Sequence, residues 1–382
     1  MKRSTLGLIV TLLYGFSFNG LVATVLPLYL RDRGVSLAEM GVIFSAYYFV
    51  TQFLRVFIGA VADRIGHRSL IRASGFLQLA TVLVYYLSPF NSLFLVGRIL
   101  EGLSASIVRA TDRAILYSGA LTEKMDVGKA AAKYSLFLWV GIGLGSFFGG
   151  LMAGIGYEYV FGLLMILSLC FAWLARFEPK KRRESLRGVF SHAFSWQGVK
   201  LKLKRLAIIR SLDGVGWSLT TSFLLVIILK EFYGLGPEMI GAFLFVMYIA
   251  RAFSGYAFGM FAEKVDERKF FIAFSLLMAV ASAIAGGAIA FGLGIIAFSL
   301  AIFAIIVFSG MKSPAFNKIV VLSANKNELG KELGLALLGF GLGQGFGDLF
   351  SGALAGLGGF AVPYFLAAVA QLILAWAIWK FI

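Results

Sequence analysis

Apolar residues occur in twelve runs of bilayer-spanning length: 6–30, 37–62, 69–88, 91–116, 130–156, 157–177, 206–230, 237–262, 269–290, 292–316, 333–357 and 360–380. A helix of about 20 residues crosses the hydrocarbon core of a membrane. Within that core each backbone amide must find its partner inside its own segment, so such runs become helices. A membrane barrel would show short alternating strands instead. The pattern predicts an all-α polytopic membrane protein with twelve transmembrane helices. The first run follows Met1-Lys2-Arg3 and is longer than the apolar core of a secretory signal, so it is expected to be kept as the first span.

Basic residues favour alternate connections. The second holds Arg64, Arg68 and Arg72, the fourth Lys124, Lys129 and Lys133, and the sixth a dense run from Arg176 to Arg205. The eighth holds Lys264, Arg268 and Lys269, and the tenth Lys318, Lys326 and Lys331. The third, fifth, ninth and eleventh carry none, while Arg31, Arg33 and Lys230 in the first and seventh are exceptions. Basic loops stay in the cytoplasm. The expectation is a multi-pass protein of the cell (plasma) inner membrane with both termini and the 178–205 segment inside. That segment divides the chain into an N-terminal six-helix bundle, 1–177, and a C-terminal one, 206–382. Its end, Val199–Arg210, interleaves basic and apolar residues and reads either as an amphipathic helix on the inner leaflet or as a solvated linker.

Composition sharpens this picture. With 60% apolar and 14% charged residues, the chain can cover itself only if most of its outer surface faces lipid. A net charge of +16 would suggest nucleic acid on a soluble domain, but here the cations sit in membrane loops and no nucleic-acid partner is expected. One cysteine, Cys170, and two distant histidines, His67 and His192, argue against a disulfide framework or a metal centre. There is no G-x-x-x-x-G-K-[S/T] phosphate loop and no nucleophile beside a base, which argues against ATP-driven work and against an enzyme.

The two halves repeat. Residues 34–68 align with 234–268 at an offset of 200: Gly34 with Gly234, Gly41 with Gly241, Tyr48 with Tyr248. Gly59-Ala-Val-Ala62-Asp63-Arg64 meets Gly259-Met-Phe-Ala262-Glu263-Lys264. At an offset of 202, Gly128-Lys129 meets Gly330-Lys331, and Gly145-Ser-Phe-Phe148-Gly-Gly150 meets Gly347-Asp-Leu-Phe350-Ser-Gly352. Two halves repeated in the same order is an architecture known among transporters.

The stretch Gly59-Ala-Val-Ala-Asp63-Arg64-Ile-Gly66-His67-Arg68 resembles the loop signature of the major facilitator superfamily, G-x-x-x-D-R-x-G-R/K-R/K, with His67 as the one departure. With the span count and the repeat, the resemblance covers the whole chain. It implies a gating latch built from Gly59, Asp63, Arg64, Gly66 and Arg68, with Asp63 near the start of the eleventh helix. Gly141, Gly145, Gly149 and Gly150 resemble the fifth-span signature of the family's antiporters, although Ser146 stands where that signature has proline. Small residues at every fourth position also let helices approach closely.

Charged residues inside the spans are the candidates for chemistry. In the fourth span Arg98, Glu101, Arg109 and Asp112 share one helical face, with Arg113 adjoining. A charge at mid-bilayer costs at least about 2.5–3.5 kcal/mol, so this stripe is expected to face the protein interior or a wet cavity. Arg98 resembles an arginine of the family's fourth span that borders the transport path. Arg98 and Glu101 read as the deeper pair, and Arg109, Asp112 and Arg113 as a cluster near the cytoplasmic end beside the signature loop. Asp213, Asp348 and Glu101 are candidate proton sites, because desolvation disfavours a carboxylate. Asn19 is read as the deep polar side chain of the first span, and Arg55 and Arg251 as partners of acids or of an anionic substrate. Tyr47, Tyr48, Tyr248, Trp139, Trp217 and Phe340 are candidates to line an amphipathic pocket.

The resulting expectation is a monomeric secondary transporter that exports a small amphipathic or anionic compound against protons. It would need no resident cofactor beyond the proton gradient. Uptake by symport or facilitated diffusion, and a lipid flippase on the same fold, are the alternatives. A cysteine placed at Ser191 should be labelled by impermeant reagents only from the cytoplasmic side; labelling in intact cells would reverse the topology.

Overall fold

The computed structural model describes residues 2–124, 127–179, 201–261, 266–323 and 329–381. Side chains are described throughout except at positions 56, 60, 63, 127–128, 201–202, 259–261, 317–318, 321–323 and 329–337. These residues form twelve helical spans, one for each expected run. They are α1 (Arg3–Asp32), α2 (Leu37–Ile65), α3 (His67–Leu87), α4 (Leu93–Thr122), α5 (Val127–Ile155) and α6 (Tyr157–Leu174). Next come α7 (Leu201–Thr221, continued by Phe223–Ile227 and Ile228–Phe232) and α8 (Pro237–Phe261). The last four are α9 (Glu267–Ala290), α10 (Ile295–Ser323), α11 (Leu329–Gly358) and α12 (Ala361–Phe381). Among the described residues ten are long and apolar enough to cross a membrane by composition alone. The other two are α4, broken by its charges, and α11, diluted by glycine.

Several helices outrun their apolar stretches. α4 continues to Thr122, α10 to Ser323, and α7 starts at Leu201. A helix stops where its hydrogen bonds end, and polar residues prolong it into the headgroup region. Residues 201–210 are therefore neither a separate surface helix nor a linker. They are the first turns of α7, with Leu203, Leu206 and Ile209 buried against Phe271, Phe316 and Leu374. Within α1, Gly15–Val22 is wound as a π-helix between α-helical Arg3–Tyr14 and Ala23–Asp32.

Contacts divide the chain into two compact units. Unit 1 comprises Met1–Tyr29, Ala46–Trp196 and Gly236–Phe245; unit 2 comprises Leu30–Ser45, Gln197–Leu235 and Val246–Ile382. In unit 1, α5 lies against α1 backbone to backbone. A Cβ at Gly141 would stand 2.6 Å from the Leu12 carbonyl oxygen, and one at Gly145 would fall on that of Phe16. Reciprocally, a Cβ at Gly20 would be 2.6 Å from the Ile142 carbonyl. Gly149 abuts Leu21 and Val25, and Gly150 meets Gly241 of α8. Unit 2 repeats the scheme: Gly339, Gly343 and Gly347 of α11 sit on the carbonyls of Ala207, Ser211 and Val215 of α7, and Gly352 meets Gly41 of α2. The glycine contacts at Gly41 and Gly241 accompany the grouping of the first turns of α2 with unit 2 and of α8 with unit 1.

Polar contacts close the helix ends. In unit 1 Arg3 forms an ion pair with Glu178. Ser4 donates from hydroxyl and amide to Glu123, which holds that carboxyl below its usual range. In unit 2 Arg31 pairs with Glu231 and Lys230 with Asp32. Two of the exceptions to the basic-loop pattern are thus neutralised locally. Asp266 caps α9, and the amides of Lys269 and Arg268 keep its carboxyl below the ordinary value.

Gly145→Ala and Gly343→Ala should each overpack a backbone contact and cost about 1–3 kcal/mol. Gly162, with open space around it, is the control. Thermal unfolding in detergent should show lower midpoints for the first two and none for Gly162→Ala.

Candidate functional site

α4 gives unit 1 its buried charges. Arg98 Nη1 donates to Glu101 Oε2 at 2.8 Å, and the Tyr85 hydroxyl donates to the same oxygen at 2.6 Å. Arg98 and Glu101 are 4% and 2% exposed. The Arg98 guanidinium also lies 4.5 Å from the centroid of the Tyr47 ring, a cation–π contact. The Tyr47 hydroxyl is 3.3 Å from both the Tyr14 hydroxyl and Arg109 Nη2, so one tyrosine of α2 ties α1 to two arginines of α4. Further along, the Asp112 carboxylate accepts from the Tyr134 hydroxyl of α5 at 2.9 Å, from Thr11 of α1 at 3.4 Å and from the Arg113 amide at 2.6 Å. Arg113 stacks on the Tyr134 ring, and Arg55 of α2 stands within electrostatic reach of Arg109, Arg113 and Asp112.

Unit 2 has its own cluster. Asp213 of α7 forms ion pairs with Arg210, one turn before it, and with Lys312 of α10. Gln371 of α12 joins them, donating to Asp213 at 3.3 Å and accepting from Lys312 at 2.9 Å. The Arg210 guanidinium packs against the rings of Phe316 and Phe340, at 4.3 and 4.5 Å. Arg251 of α8 donates to the Ser309 hydroxyl at 2.8 Å and lies 4.0 Å from the Trp217 ring centroid. Asp348 of α11 accepts a hydrogen bond from the Ser218 hydroxyl of α7.

The sequence candidates are thus brought into two separate groups. Arg98, Glu101, Arg109, Asp112, Arg113 and Arg55 belong to unit 1, and Asp213, Arg251 and Asp348 to unit 2. Asn19 is half-buried within the π-wound part of α1, and Thr11, Ser17 and Thr24 are buried polar residues of that same span. Along α4, which runs to Thr122, Arg98 lies in the second turn and Arg109 near the middle. The described contacts of Arg109 and Asp112 run to α1, α2 and α5 rather than to the signature loop. That loop is the end of α2, the single residue Gly66 at φ +84°, and the start of α3 at His67. Only glycine enters that conformation without strain. Gly59, Arg64 and Arg68 lie on the flanking helices. The Asp63 side chain and the side chains at the start of α11 lie outside the described residues.

Sequence reading missed Lys312, Arg210, Gln371, Tyr85, Tyr134 and Thr11. Lys312 and Arg210 lie close to the ends of their apolar runs, and the helices continue past them. The aromatic candidates carried a usable signal: Tyr47, Trp217 and Phe340 each stack on a buried arginine.

Twelve spans in two repeated sets of six, with ion-paired charges buried inside each unit, make up the fold of a polytopic membrane transporter. The chain belongs to the Major Facilitator Superfamily, whose profile matches residues 7–209 and 206–382. It is 25% identical over 229 residues to the quinolone resistance protein NorB of Staphylococcus aureus (strain MSSA476), covering 60% of this chain and 48% of that protein. The chain therefore spans about half the length of the curated relatives it matches. Among solved structures it is similar to the nucleoside transporter NupG, with TM-score 0.76 and 14% identity over 100% of this chain and 99% of that one. It is also similar to the inward-open xylose transporter XylE from E. coli, with TM-score 0.76 and 14% identity over 99% and 95%. At this identity the likeness concerns fold alone.

Removing one partner of a buried ion pair costs about 3–5 kcal/mol, whereas replacing both with apolar residues is often close to neutral. Arg98→Leu should therefore lower the thermal midpoint sharply, and adding Glu101→Leu should recover most of the loss. A double variant no more stable than the single one would show that the two charges do not act as a pair.

Proposed function

We propose that this protein is a monomeric, proton-coupled secondary transporter of the inner membrane. It exports a small amphipathic or anionic compound by alternating access, with both termini in the cytoplasm. Family membership supports transport, and a relative named for quinolone resistance supports export. The observation that carries proton coupling is the Ser218–Asp348 hydrogen bond, made across the glycine-tight contact of α7 with α11. Protonation makes one carboxyl oxygen a donor and leaves the other a weaker, neutral acceptor, and the two helices touch so closely that the new donor and the weakened Ser218 bond must be accommodated by movement. Burial favours the neutral acid and ionisation needs a donor, so a small change in geometry shifts the balance. A proton held with different affinity in two states drives the cycle between them. Glu101, held by Arg98 and Tyr85, is the second candidate.

Vesicles with an imposed pH gradient, an internal pH dye and an added quinolone test this reading. The parent protein should discharge the gradient when the quinolone is present. Asp348→Asn should abolish that discharge while retaining exchange of labelled for unlabelled quinolone. Undiminished discharge in both Asp348→Asn and Glu101→Gln would place coupling elsewhere.

A further inference from the structure

The unit 2 cluster carries more positive charge than it can neutralise by itself. Arg210, Asp213, Lys312 and Gln371 are 6%, 3%, 1% and 1% exposed. Asp213 divides its two oxygens: Oδ2 accepts from Arg210, and Oδ1 from Lys312 and Gln371. One carboxylate therefore serves two cations. Among the described residues the other buried acid of the unit is Asp348, placed with Ser218. Arg210 Nε is buried without a hydrogen-bond partner. A surplus charge in a low-dielectric interior is strongly unfavourable, and inside membranes such residues mark ligand paths.

We propose that the Lys312–Asp213–Arg210 cluster is a seat for the anionic head, a carboxylate or related oxyanion, of the transported compound. The incoming anion takes the place of Asp213 on Lys312, while Asp213 stays with Arg210. The charges then balance: Arg210 with Asp213, and Lys312 with the anion. No proton is required, so the seat is independent of Asp348. Phe340, half-buried beside Arg210, offers apolar surface for the body of such a compound, while Phe316 and Phe271, packed in the core of the unit, back the two cations from behind. Asp213 is then a built-in counter-ion that keeps the seat closed when empty.

The naming of the anion as transported compound rests on the transport reading; the binding does not, and it is tested on purified full-length protein by thermal unfolding. Lys312→Met removes the surplus charge, fills the space and leaves a neutral Arg210–Asp213 pair. It should melt at or above the parent midpoint and lose any response to benzoate. Asp213→Asn leaves cations facing one another; it should melt below the parent and be raised by benzoate by more degrees than the parent is. Benzamide, the neutral isostere, should shift none of them, and phenylphosphate shows whether the seat prefers a phosphate to a carboxylate. A Lys312→Met midpoint several degrees below the parent would make Lys312 a structural counter-ion and overturn the proposal. So would Asp213→Asn protein that ignores both benzoate and phenylphosphate. No pH gradient enters these measurements, so their failure leaves proton coupling standing, and failed coupling leaves the seat standing.

Discussion

Carbonyl oxygens of one helix rest directly on glycine Cα atoms of another, and the buried chemistry depends on that approach. Lipid tails are as apolar as leucine, so helices in a bilayer gain little by hiding apolar side chains from it, and close van der Waals packing must hold them together. Gly141 and Gly145 bring α5 onto α1, and Gly339, Gly343 and Gly347 bring α11 onto α7. α5 also supplies Tyr134 to the Asp112 carboxylate that Thr11 of α1 reaches from another side, and α7 presents Ser218 to Asp348. A methyl group at any of these glycines would push apart donors and acceptors that have no water to fall back on.

Both units then handle charge in the same way. Each places an arginine and an acid one turn apart on a single helix, Arg98 with Glu101 and Arg210 with Asp213. Each adds a donor from a neighbouring helix, Tyr85 in one case and Lys312 in the other. The choice of donor separates the two. A tyrosine leaves the first group neutral, whereas a lysine leaves the second with a cation to spare. Aromatic rings accompany the guanidiniums in both, softening desolvation through their electron-rich faces.

Much of the architecture was legible because the physics that dictates it is periodic. Apolar runs of bilayer length could become little else than helices, and the 34/234 match was informative because both glycines adopt positive φ, +77° and +68°. The glycine spacing of the fifth and eleventh runs foretold close packing. Other features were hidden for definite reasons. Hydropathy marks where the hydrocarbon ends, not where hydrogen bonds end, so the extension of α7 back to Leu201 and of α10 on to Ser323 did not show in the apolar runs. Tyr85 and Tyr134 were invisible as partners because a tyrosine in a span is usually a packing or interfacial residue. Tertiary contact alone reveals what its hydroxyl reaches.

The π-wound stretch Gly15–Val22 bears on how this chain compares with others of different length. A π turn inside an α-helix accommodates about one additional residue locally. The α-helical parts on either side can therefore keep their faces, Thr11 toward Asp112 and Tyr29 edge-on to Phe94, whether or not the extra residue is present. A homologue one residue shorter here would wind as ordinary α-helix without disturbing either contact. Positions 15–22 are thus where a one-residue insertion or deletion in the first span leaves the contacts of Thr11 and Tyr29 undisturbed.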